Sequence, residues 1–103
     1  MKTGKYMKTC WLIAMFLLFT GIATAQEASL KEAEVAYTKE DYKAAIELYE
    51  GILKNTGESV AVYYNLGNAY YKDGQIAPAI LNYERALLLQ PGDKDIRFNL
   101  QIA

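Results

Sequence analysis

The chain has 103 residues, 52% of them hydrophobic and 22% charged, with 11 basic and 12 acidic side chains, one cysteine and no histidine. That length allows one small domain. Balanced charge offers no clustered Lys and Arg for nucleic acid, and the lack of histidine and of a second cysteine removes zinc clusters, internal disulfides and the usual nucleophilic centres.

Lys2, Lys5 and Lys8 precede an apolar run from Cys10 to Ile22, and Ala23, Thr24 and Ala25 then supply a small-x-small cleavage pattern. Residues 1–25 therefore read as a secretory signal peptide cut before Gln26. Met7-Lys8 leads directly into the same run and is an equal candidate for the start. The run is shorter than the roughly 20 residues that a membrane anchor wants. Left uncleaved, it would be the chain's one contact with a membrane. Cys10 lacks the small residues that precede a lipoprotein cysteine. Three of the 11 basic residues leave with the segment, so 8 face 12 acidic ones, a net charge of minus 4.

Beyond the signal, apolar and small residues recur at helical spacing. Between Val60 and Asp93, Tyr63, Leu66, Gly67 and Tyr70 mark one helix, and Ala79, Ile80, Tyr83, Ala86 and Leu87 a second. Gly67 and Ala79 are the small residues expected where the two helices cross. Asp73-Gly74 supplies the turn between them. Pro78 lies in the first turn of the second helix, where its missing amide is not needed, and Pro91-Gly92 stops that helix.

The pattern recurs one repeat length away in both directions. Ala45-Ile46 matches Ala79-Ile80, Tyr49-Glu50 matches Tyr83-Glu84, Leu53 matches Leu87 and Tyr37 matches Tyr71. Ala33 stands at the place of Gly67, Gly57 at that of Pro91 and Ile52 at that of Ala86. Thr56-Gly57-Glu58-Ser59 reads as a loop, with Ser59 as a helix cap. Asn99-Leu100 matches Asn65-Leu66, so Lys94 opens the first helix of a third unit that Ala103 ends before any turn.

Spaced in this way, Tyr63, Leu66, Gly67, Tyr70, Ala79, Tyr83, Ala86 and Pro91 resemble the pattern of the tetratricopeptide repeat, a unit of about 34 residues. The resemblance implies an all-α fold in which antiparallel helix pairs stack as a short solenoid. Residues 26–59 would be the first repeat, 60–93 the second and 94–103 the start of a third or a capping helix.

It also implies a function, since the first helices of stacked units line a concave surface suited to a peptide or a partner helix. Its places fall on Tyr64, Asn65, Asn68, Tyr71 and Lys72, preceded by Leu30, Glu34 and Tyr37 and followed by Phe98, Asn99 and Ile102. Asparagine amides suit an extended backbone, and tyrosines offer apolar area with a polar tip. The expected partner is another protein or peptide rather than a small-molecule substrate or nucleic acid. Repeats that clamp the C-terminal carboxylate of cytosolic chaperones need basic residues and asparagines at five inner places. Here Asn65 fits one, while Leu30, Glu34, Asp95 and Asn99 occupy the others, which disfavours such a clamp.

The signal, the two repeats and the passage from Pro91 to Leu100 are similar to the repeat proteins of bacterial Bat (aerotolerance) operons. That narrower resemblance implies an exported interaction module of the periplasm or cell envelope. No catalytic residue, metal site or cofactor is expected. Glu32, Glu34, Glu40, Asp41, Glu47, Glu50 and Glu58 could supply a carboxylate pair for a hydrolase, yet most fall on solvated helix faces, often with a lysine a turn away, as Glu50 has Lys54. Asp93-Lys94-Asp95 lacks the remaining ligands of a calcium loop. Phe98, Leu100 and Ile102 would leave an apolar end on a chain of marginal size, so a truncated product or self-association through that helix is expected.

Overall fold

The structure, a computed structural model, describes residues 25–103. The lysines, apolar run and Cys10 of the expected signal lie outside the described residues. Among the described residues there are five helices: α1 over 25–38, α2 (Tyr42–Thr56), α3 (Val60–Lys72), α4 (Ile76–Leu89) and α5 (Lys94–Ile102). Successive helices pack as neighbours from α2 to α5. No helix among these residues is long and apolar enough to cross a membrane.

Helix starts follow from local chemistry. Ser59 is extended, and its hydroxyl accepts from the Val62 amide, which begins α3. One repeat length later, the Asp93 carboxylate accepts from the amides of Asp95 and Ile96 and begins α5. Each cap satisfies amides that have no partner inside the helix. Asp41 caps α2 through the Ala44 amide, whereas Gln75 at the matching place makes no side-chain cap on α4. Pro78 sits third in α4, as its missing amide requires.

The two turns inside the helix pairs share one hydrogen-bond pattern. At the second, the Gln75 amide reaches the Tyr70 carbonyl and the Gly74 amide reaches that of Tyr71; at the first, Asp41 reaches Ala36 and Glu40 reaches Tyr37. This is the Schellman closure, which needs a left-handed residue just past the helix. Gly74 takes it with φ 80, and Glu40 takes it with φ 62.

Two contiguous cores follow. One gathers Ala33, Ala45, Ile46, Tyr49, Ile52, Val62, Leu66 and Ala69 from α1, α2 and α3; the other gathers Tyr63, Ala79, Tyr83, Ala86 and Ile96 from α3, α4 and α5. Leu66 is wholly buried, a contribution of about 1.5–3 kcal/mol. Tyr70, Ile80 and Leu87 are only half-buried. At the expected crossing, the atoms nearest a Cβ on Gly67 belong to the ring of Tyr83. Gly67 thus makes room for that ring, and Ala79 is wholly buried in the same core.

The Glu50 carboxylate accepts from the Tyr70 hydroxyl at 2.9 Å, joining α2 to α3. Its recorded partner is therefore across the repeat boundary and not the lysine a turn away. On α5, Ile96 is buried while Phe98 is 62% and Ile102 53% exposed.

Candidate functional site

Because α1, α3 and α5 are first members of successive helix units, equivalent side chains on them recur one repeat length apart. Two hollows on their common face obey that translation. The first, about 290 Å³, is lined by Glu34, Tyr37, Thr38, Tyr49, Asn65 and Asn68. The second, about 210 Å³, is lined by Asn68, Tyr71, Lys72, Tyr83, Asn99 and Ile102, with Tyr37 reaching in from the first. Shifted by one repeat, each of the six residues of the first becomes one of the second. They are one pocket built twice, and Tyr37 and Asn68 form the wall between the copies.

The floor of the second pocket is a closed polar network. Asn68 Oδ1 accepts from the Tyr83 hydroxyl and, at 2.9 Å, from Asn99 Nδ2. Asn99 Nδ2 also donates to the Tyr64 hydroxyl at 3.0 Å. Burial of Tyr83, with smaller contributions from Tyr64 and Tyr37, pushes its hydroxyl up to about 12, against a lowering by the Asn99 amide. A neutral hydroxyl there remains a donor, which keeps Asn68 and Asn99 oriented.

The first pocket has the same frame with different chemistry. Glu34 stands where Asn68 stands in the second, and among the described residues Glu34, Tyr49 and Asn65 make no side-chain hydrogen bonds to one another. Tyr49 is 2% exposed. Its hydroxyl is raised by burial, then by the charge of the Glu34 carboxylate and by Tyr37, and all three residues line this pocket. Tyr37 is raised by burial and by Tyr42, whose ring meets its own edge-on at 5.4 Å.

Six of the eight expected binding residues gather here: Asn65 in the first pocket, Tyr71, Lys72 and Asn99 in the second, and Tyr37 and Asn68 in both. Tyr64 does not line either pocket. Its ring lies 6.1 Å from that of Tyr83, and it borders a separate hollow with Val60, Ala61, Asp93 and Ile96 at the junction of α3 and α5. Phe98 is exposed beside the face and lines neither pocket.

Thr38, Tyr49 and Tyr83 were not among the expected binding residues. The repeat offset was the available signal for Thr38, which it pairs with Lys72, whereas Tyr49 and Tyr83 are paired only with each other. Another hollow, about 420 Å³ and bordered by Ala25, Ser29, Leu48 and Ile52, opens between α1 and α2 and shares no lining residue with these two pockets. Among the described residues no three Asp or Glu side chains converge to hold a metal ion.

Both pockets on the face are smaller than the roughly 300–1,000 Å³ of small-molecule sites. Their size suits single side chains of a longer partner, and the stretch between them offers amide groups and aromatic area.

Comparison with known proteins agrees with the helix geometry. Residues 60–93 match the family model described as the tetratricopeptide repeat. A Xenopus laevis protein, tetratricopeptide repeat protein 21B, is 32% identical over 73 residues, which cover 65% of this chain and 6% of that protein. The chain thus corresponds to a small part of that relative's length. With the α3–α4 pair, the turn at Gly74 and the Gly67–Tyr83 crossing inside the matched bounds, residues 60–93 form a tetratricopeptide repeat.

Proposed function

We propose that the chain is a non-enzymatic adaptor that holds an extended segment of another protein along the face shared by α1, α3 and α5. The observation that carries this reading is the duplicated pocket: two equivalent, side-chain-sized hollows on one face, one repeat apart, suit a partner that is itself extended and periodic. Tetratricopeptide repeats commonly form such surfaces for proteins and peptides.

Export to a bacterial cell envelope is part of the proposal. The basic start, apolar run and small-x-small pattern of residues 1–25 support it, as does the resemblance to the repeat proteins of Bat operons. N-terminal sequencing of the exported protein tests the location, with a new start at Gln26 as the expected result and an intact N terminus pointing to a tethered component instead.

Capture of partners from envelope extract, repeated with Asn65→Ala and Tyr71→Ala, tests the face. Both residues line the pockets without being buried in the core. Loss of the same partner in both variants is expected. Capture indifferent to both changes removes this face as the binding surface.

A further inference from the structure

We infer that the two pockets select opposite charges, so that the preferred occupant is an extended peptide carrying a cationic side chain for the Glu34 pocket and a carboxylate for the Lys72 pocket. This rests on the reading of the face as a peptide groove and specifies its ligand.

The inference comes from comparing two copies of one geometry. The frame is common: Tyr37 and Tyr71, Tyr49 and Tyr83, Asn65 and Asn99 are pairs of identical residues one repeat apart. Only the remaining positions differ. Glu34 is replaced by Asn68, Thr38 by Lys72 and Asn68 by Ile102. A shared frame with changed polarity makes these positions the ones that discriminate.

In the second pocket the Asn68 oxygen is already occupied by Tyr83 and Asn99. A ligand therefore finds that oxygen taken, with Lys72 and the apolar side chain of Ile102 in the lining. A carboxylate gains a charge-assisted hydrogen bond there, and its methylenes gain contact with Ile102. In the first pocket the carboxylate of Glu34 stands beside the rings of Tyr37 and Tyr49 with no equivalent network closing it. An ammonium or guanidinium gains an ion pair with Glu34, the half-buried ring of Tyr37 and the hydroxyl oxygen of Tyr49 as an acceptor. A carboxylate would be repelled.

The pockets share a wall, so their centres lie about one helix spacing apart, on the order of 8–10 Å. An extended chain covers that distance in about three residues.

The test measures fluorescence polarisation of labelled peptides on the full chain. Each peptide has a neutral background and carries Arg and Asp about three residues apart, in both orders, beside a version with Gln and Asn in their places. One charged order is expected to bind about fivefold or more tightly than the neutral peptide, the range of partly exposed ion pairs combined with ring contacts. Both Glu34 and Lys72 are exposed, so Glu34→Lys combined with Lys72→Glu leaves the fold intact and is expected to reverse the preferred order.

An unchanged order in that double variant overturns the inference. Equal binding of charged and neutral peptides also overturns it while leaving the peptide groove standing. If no peptide binds, the groove itself falls with it.

Discussion

The ring of Tyr83 fills the space that a side chain on Gly67 would need: a Cβ there would lie 2.6 Å from its Cε1 and 2.7 Å from its Cδ1. Tyr83 has nowhere to retreat, being 2% exposed and tied through its hydroxyl to Asn68. Gly67→Ala is therefore expected to destabilise by about 1–2 kcal/mol, the cost of overpacking less the better helix propensity of alanine. Urea unfolding should show a lower midpoint with an unchanged slope. Alanine at the matching Ala33 is accommodated opposite Tyr49, so the cost belongs to this crossing rather than to the position in general.

Glu40 and Gly74 close equivalent turns in the same left-handed conformation, and only one of them is a glycine. A residue with a Cβ is strained there by about 1–2 kcal/mol, part of which glycine loses through its freer unfolded chain. Glu40→Gly should stabilise by about 0.5–1 kcal/mol, and Gly74→Glu should destabilise by about the same or more. Paired thermal melts of the two variants check the sign: movement of both midpoints in the same direction would contradict it.

These turns also explain what was readable in the sequence. Gly67, Gly74, Ser59 and Pro91 are residue types that the crossing, the turn, the cap and the stop demand, so the α3–α4 unit was legible to its ends. Glu40 was not, because the hydrogen bonds of the closure hold the backbone left-handed whatever side chain sits there. The site divides in the same way. Asn68, Tyr71 and Lys72 follow from the family's inner places, whereas Tyr49 and Tyr83 read as core by periodicity, since their rings are core and only their hydroxyl ends face the pockets. Whether Tyr64 or Asn99 meets a ligand or a neighbour depends on the register of α5 against α3. That register is set by packing around Ile96 and has no local signature.

Asn82 is 2% exposed; its amide nitrogen donates to the Pro78 carbonyl at 2.8 Å, while its Oδ1 has no partner. The matching residue one repeat earlier is Leu48, which packs against the first core. Asn82→Leu removes the unsatisfied oxygen, and the Pro78 carbonyl remains the acceptor of the ordinary helical amide bond. A gain of about 1 kcal/mol is expected. Chemical denaturation should show a raised midpoint, and a lowered one would mean that the larger side chain does not fit.

Two tyrosines link stability to alkaline pH. Burial pushes Tyr70 up to about 12, helped by its hydrogen bond to Glu50 and by that carboxylate's charge, and burial likewise carries Tyr83 to about 12. An unfolded tyrosine ionises near 10.0. Below that pH both states hold the proton, and the stabilising contribution is complete. Between 10 and about 12 the unfolded chain releases protons that the folded chain retains, so stability falls as pH rises through this window. Ultraviolet titration of tyrosinate should therefore show a late class of phenols that merges with the rest once the protein unfolds. Tyr70→Phe is expected to remove one member of that class and to flatten the loss of stability across the window. An unchanged late class in that variant would mean that Tyr70 ionises like an exposed phenol and that its bond to Glu50 does not persist in solution.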